Sequence, residues 1–223
     1  MPGLDTTRRI CMYALLALVL FDASLVHAQK RVPAGKDSAG FSFSNGVSQN
    51  KGKQVSLSEP VIHYQLHIDM LATIDDRPTM SIYGDGRVEV HNPEYMKMAG
   101  DYQMQLDEDE LVELVQSLSA NGVLEFDDSK VKKDIRDKKK QQRAKGQLHA
   151  ISDAAVTIID IRLDDYQKNS SASPVKKFHK RFKWANIEHD ARRYPKQRDI
   201  VYANQSVQRL RSLMKDLRLE RRR

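Results

Sequence analysis

The 223-residue chain has a single cysteine, Cys11, and it lies inside the only long apolar run. Everything beyond that run therefore lacks a disulfide, a thiol nucleophile and a thiolate metal site. No second hydrophobic stretch approaches the ~20 residues that a spanning helix needs. A Gly-x-Ser-x-Gly nucleophile elbow is missing, and so are phosphate-cradling glycine loops. These absences exclude disulfide scaffolds, multi-span membrane proteins and the most recognisable hydrolase and nucleotide sites.

The apolar run itself reads as an export signal. Arg8-Arg9 gives a positive flank, Ile10–Leu20 is apolar, and Asp22 interrupts the run before it reaches spanning length. Val26-His27-Ala28 supplies compact residues at the −3 and −1 positions, so cleavage is expected between Ala28 and Gln29. A lipoprotein would carry cysteine where Gln29 stands. The expectation is a mature chain in the periplasm or outside the cell, with no membrane span after signal removal.

The formal net charge is +7, and its layout is uneven. Residues 130–145 hold nine basic and two acidic side chains, and residues 176–223 hold sixteen basic and five acidic. The rest of the mature chain is correspondingly acidic. Basic surfaces often meet nucleic acid, but export argues against that partner. Anionic lipid head groups, lipopolysaccharide, acidic polymers or an acidic protein face fit the expected compartment better. Two plainer alternatives stand beside this: a solvated charged surface, and pairing of the basic segments with the chain's own acidic part.

Residues 29–58 are rich in Ser, Gly, Lys, Asn and Gln without sustained periodicity, and predict a flexible leader. Alternation over 61–71 predicts a half-buried strand. Two further strands, 79–83 and 87–91, flank Gly84-Asp85-Gly86, whose glycines suit the positive-φ positions of a hairpin. A fourth strand is expected at 102–106. Asp107 then caps a helix, with Glu110 as capping-box partner and Leu111, Leu114, Val115 and Leu118 as its core stripe. Leu124 and Phe126 are expected to fold back against its end.

Residues 128–150 read as a basic charged connection; helical spacing is possible there, but few apolar residues would pin such a helix. Strands follow at 154–164 and around 176–184, then a short helical turn at 187–192. A last helix is expected from about Asn204, with Val207, Leu210, Met214 and Leu217 inward, ending in a basic tail at 221–223. The predicted fold is α+β: an antiparallel sheet of about six strands with two amphipathic helices on one face, in the order β-β-β-β-α-β-β-α, forming a single domain over 59–220.

Pro78-Thr79-Met80-Ser81-Ile82-Tyr83-Gly84-Asp85-Gly86-Arg87-Val88 resembles the P-x-x-x-[IV]-Y-G-D-G-x-V hairpin of an exported bacterial family of unknown function. Gly122-Val123-Leu124-Glu125-Phe126-Asp127-Asp128, after the acid-led helix, is similar to that family's G-[FV]-[FL]-x-[FL]-D-D segment. The residue likeness is confined to 78–128, and the basic connection and positive tail depart from the family. The resemblance implies an envelope-located α+β domain and carries no catalytic residue.

Candidate binding residues come from the basic segments. Lys177, His179, Arg181 and Lys183 alternate with Phe178, Phe182 and Trp184, so they share the strand face opposite the aromatic one. Such a ladder of like charge suits an edge strand, where lysine also deters strand addition. Lys138, Lys139 and Lys140 mark the densest part of the connection. His63 and His67 share a strand face but sit about 13 Å apart, too far to share one ion. His189-Asp190 reads as surface, and Asp107–Glu110 lacks calcium-loop spacing. No catalytic residue, metal or cofactor is implied. The sequence favours a non-enzymatic domain contacting an anionic envelope component or secreted protein through 130–145 and 176–223. One alternative is an inhibitor or accessory domain recognising a secreted protein by shape. Another is an enzyme of unknown class built around groups such as Tyr83, Asp85 and His91.

Overall fold

A computed structural model describes residues 29–44, 47–50, 53–56, 59–68, 77–147 and 155–222. The expected signal and its cleavage residue Ala28 lie outside them. The elements are β1 (Gln29–Val32), β2 (Gly40–Ser44), β3 (Val47–Asn50), β4 (Lys53–Ser56), β5 (Ile62–Ile68), β6 (Met80–Ile82), β7 (Arg87–Asn92) and β8 (Gly100–Gln105). There follow α1 (Glu108–Ala120), α2 (Asp128–Ala144), β9 (Ala155–Gln167), β10 (Val175–Ala185), α3 (Ile187–Arg193), α4 (Arg198–Leu213) and β11 (Glu220–Arg221). The fold is mixed α+β with an antiparallel sheet.

All six expected strands are present, as β5–β10, but among the described residues the main sheet has nine. Its order is β1-β2-β9-β5-β6-β7-β8-β11, with β10 paired to β9, while β3 and β4 form a separate two-stranded ribbon. The additional strands come largely from the segment expected to be a leader. Phe41 and Phe43 are essentially inaccessible, and β2 pairs with β9 through Gly40↔Gln167, Phe41↔Tyr166 and Ser42↔Asp165. The Ser42 hydroxyl donates to the Asp165 carboxylate at 2.7 Å, and Lys176 reaches the same oxygen at 3.1 Å. Burial pushes the Asp165 carboxyl up, but those two hydrogen bonds outweigh it and hold the group below its usual range. Two aromatic side chains among small polar residues suffice to anchor an arm that composition presents as polar.

The hairpin between β6 and β7 forms as expected, with one refinement. Only Gly86 takes positive φ, at 85°, and a Cβ there would meet the Leu106 carbonyl oxygen at 2.3 Å. The Asp85 carboxylate accepts from the Arg87 amide and closes the turn. The capping box of α1 is complete: the Asp107 carboxylate accepts from the Glu110 amide at 2.8 Å, and Glu110 accepts from the Asp107 amide at 2.9 Å. Leu111, Leu114, Val115 and Leu118 are buried, and Leu124 and Phe126 close over the end of the helix.

Among the described residues there are four helices, where two amphipathic helices and a short helical turn were expected. The basic connection is α2, capped by Asp127 and held by buried Val131 and Ile135, two residues four apart on one helix face. The short expected turn is α3. The terminal helix, α4, begins at Arg198, before Asn204, because Ile200 and Ala203 are also buried. It ends at Leu213, and Leu217, expected inward, is fully exposed. Arg221 of the expected tail pairs in β11 against Tyr102 of β8.

Contacts from α4 and from the segment between α1 and α2 fall on one sheet face. Tyr64 of β5 accepts a hydrogen bond from Arg211 of α4, and Phe126 stands edge-on to Phe182 and Trp184 of β10 at centroid distances of 4.9 and 5.7 Å. Residues alternating with these, including His63, Ser81, Glu89, Asp160, Arg162, His179 and Arg181, form the other, polar face. Among the described residues, no helix is long and apolar enough to cross a membrane.

Candidate anion-binding cleft

The fold divides the seven predicted binding residues between two faces. Lys177, His179, Arg181 and Lys183 project from β10 on the polar face, and all four are exposed. Among the described residues β10 pairs only with β9, so the like-charge ladder sits at a sheet margin as expected. The ladder is partly compensated: His179 Nε2 lies 3.0 Å from Asp160, whose carboxylate also accepts from Arg162. Asp160 is the register partner of both His63 and Arg181. Lys177 has φ 50°, and no Cα partner falls to it between Lys176↔Asp165 and Phe178↔Leu163.

Lys138, Lys139 and Lys140 lie on α2, which packs on the opposite, aromatic side of β10. Lys138 donates to Gln197 at 2.6 Å, Lys139 approaches Asp190 at 3.7 Å, and Lys140 lines an open cleft. That cleft holds about 500 Å³ between α2 and the end of β10. Its α2 wall is cationic, formed by Lys132, Arg136, Lys139, Lys140 and Arg143, with Ile135 among them. Across it stand Trp184, Ala185 and Asp190. A smaller depression continues along α3 past His189 and Arg193.

Local sequence explains the geometry. Asn186 adopts a left-handed conformation (φ 55°, ψ 43°) that asparagine tolerates, and its side chain accepts from the Ala155 amide at 3.1 Å. This turns the chain directly from β10 into α3 and brings Asp190 beneath Trp184. The indole N–H donates to Asp190 Oδ2 at 3.0 Å. The far end of α2 is tied to α3 and the residues after it by Gln142, which accepts from Arg193 at 2.7 Å and from Tyr194 at 3.3 Å. The expectation that His189-Asp190 is surface is corrected: Asp190 is buried, and His189 Nδ1 lies 3.6 Å from its carboxylate, beyond hydrogen-bond range. The Asp190 carboxylate accepts from the Trp184 indole and is approached by Lys139.

Sequence reasoning singled out the lysine triplet and overlooked its neighbours. Lys132, Arg136, Lys139, Lys140 and Arg143 recur at helical spacing, so a cationic stripe was readable once 128–144 was taken as a helix. The walls supplied by Trp184 and Asp190 had no such signal, because they arrive from another part of the chain.

Several C-terminal cations, by contrast, pair with carboxylates at the surface. Arg209 pairs with Glu113 at 3.6 Å, Arg218 with Glu110 at 3.0 Å and Asp216 at 2.9 Å, and Arg222 with Glu89 at 2.9 Å. The segment 198–222 thus meets the acidic part of its own chain, as the self-pairing alternative foresaw. The Asp216 carboxyl is held down to about 2, chiefly by its hydrogen bonds with Arg218.

The three groups considered for an enzyme each have a separate partner. The Tyr83 hydroxyl donates to Glu89, Asp85 serves the turn, and His91 contacts Asp101. His63 Nδ1 lies 3.1 Å from the Ser81 hydroxyl, and burial lowers its pKa despite the neighbouring Asp160. Among the described residues, no cluster of three or more His, Cys, Asp or Glu is placed to hold a metal ion. Comparison with known protein families, curated proteins and solved structures finds no match for this chain.

Proposed function

We propose that the chain is an exported, non-enzymatic binding domain that contacts an anionic envelope component or secreted protein through α2 and the adjoining end of β10. The observation that carries this reading is the contrast between two sets of cations. Arg209, Arg218 and Arg222 are matched by Glu113, Glu110, Asp216 and Glu89, whereas in the α2 stripe Lys132 pairs with Asp128, Lys139 approaches Asp190, and Arg136, Lys140 and Arg143 gather along an open cleft. A field of one sign over a concave surface concentrates counter-charged ligands and speeds their encounter.

The test is binding to heparin and to phosphatidylglycerol vesicles, compared with phosphatidylcholine vesicles, between about 0.05 M and about 0.5 M salt. Retention on the anionic supports that falls steeply with salt is the expected result. Retention insensitive to salt would remove the electrostatic claim. Exchanging Lys140 and Arg143 for glutamate, against the same exchange at Arg181 and Lys183, separates the two sheet faces; loss is expected for the first pair. Amino-terminal sequencing of the protein from its native source tests export, with Gln29 expected first.

A second reading, an accessory or inhibitory domain recognising a protein by shape, is favoured by one feature. The loop between β7 and β8 exposes Tyr95, Met96 and Met98, at 49%, 42% and 65%. Adaptable methionines beside a tyrosine suit an apolar protein contact. Capture of one protein partner that survives high salt, and is lost with Tyr95→Ser and Met98→Ser, would support it over the first.

A further inference from the structure

We infer that the α2–β10 cleft accommodates a small amphiphile carrying a phosphate head group. This rests on the anionic-partner reading and narrows it to one ligand class. Of the five cations on the α2 wall, Lys132 pairs with Asp128 and Lys139 approaches Asp190, which also accepts from Trp184; Arg136, Lys140 and Arg143 remain along the cleft. Such an excess favours a dianion over a monoanion, and the guanidinium forks of Arg136 and Arg143 match phosphate oxygens.

Charge alone does not describe the cavity. Ala185 and the methylene stems of the α2 lysines and arginines supply most of the apolar surface, over a floor formed by the nearly buried Ile135 and Trp184. A hydrated inorganic phosphate would leave that surface wet. An alkyl chain attached to the phosphate would cover it, while the head stays among the ammonium and guanidinium groups. The volume of about 500 Å³ lies in the range usual for small-ligand sites.

Trp184 is the only tryptophan, so its emission reports on the cleft without competing signal. The mature chain is titrated with octyl phosphate, inorganic phosphate, octanoate and octyl glucoside at low salt, by fluorescence and by calorimetry. Octyl phosphate is expected to saturate at one per chain and to bind about tenfold or more tightly than each of the others. Lys140→Glu with Arg143→Glu, at two exposed positions, should weaken it by about tenfold or more, whereas Arg181→Glu with Lys183→Glu should not. If circular dichroism shows that the α2 glutamate pair misfolds, the glutamine pair at the same sites provides the comparison.

Equal binding of inorganic phosphate would overturn the role of the apolar lining, equal binding of octanoate the choice of head group, and equal binding of octyl glucoside the role of charge. No binding of octyl phosphate alongside salt-sensitive heparin binding would overturn this inference alone. Failure of both would remove the anionic-partner reading as well.

Discussion

The Trp184 indole donates a hydrogen bond to the Asp190 carboxylate across 3.0 Å, and each residue is only 4% exposed. The bond joins the end of β10 to α3 at the wall of the cleft. Its acceptor is charged, and truncation would leave a buried N–H without a partner. Asp190→Ala is therefore expected to lower stability by about 1.5–3 kcal/mol, measured by urea unfolding, with a shift in tryptophan emission. The exposed Lys139 contributes little to that figure, since ion pairs with one solvated partner are weak.

Phe41 tests whether the polar-looking amino-terminal arm belongs to the core. It is inaccessible, and its register partner Tyr166 is itself buried. Phe41→Ala should cost about 3–5 kcal/mol. An unfolding midpoint unchanged by this substitution would show that the arm is not part of the cooperative unit.

The capping box gives a smaller, sharper expectation. Asp107→Ala removes the acceptor of the Glu110 amide and should destabilise by about 1 kcal/mol. Glu110 also pairs with Arg218, which holds its carboxyl below the usual range, so Glu110→Ala disturbs both α1 and the chain end. Thermal melts of the two variants distinguish a local cap from that longer connection.

His63 makes stability depend on pH. Burial is the largest influence on it and lowers its pKa below 6.5, so the folded state favours the neutral ring. The unfolded chain therefore binds a proton that the folded chain resists. The His63 contribution is complete above 6.5 and is lost as pH falls from there through the lowered folded value. Unfolding free energies measured across this window should decline towards acid, and His63→Gln should flatten that decline.

Elements that announce themselves by local pattern were legible in the sequence. The alternation of β5, the β6–β7 turn and the Asp107–Glu110 box each involve neighbours a few residues apart, and each stands where expected. β2 and α2 were missed for a common reason: both are held by long-range contacts to a small number of apolar residues. Phe41 and Phe43 disappear in a Ser/Gly-rich average, and Val131 and Ile135 disappear among lysines. The candidate cleft was half legible. Its cationic wall is local to one helix, but Trp184 and Asp190 face it only because Asn186 turns the chain sharply between them.

The thirteen-residue strand β9 accepts partners from two distant stretches before it, β2 and β5, and from its hairpin neighbour β10 after it. During synthesis, β5 thus emerges well before the strand that completes one of its borders. Until residue 161 has been made, the growing chain presents unsatisfied backbone along one border of β5, and β2 lacks its β9 partners until residue 167. A chaperone able to shield such a border would matter most in that interval, and release of a shorter nascent fragment would favour self-association over folding.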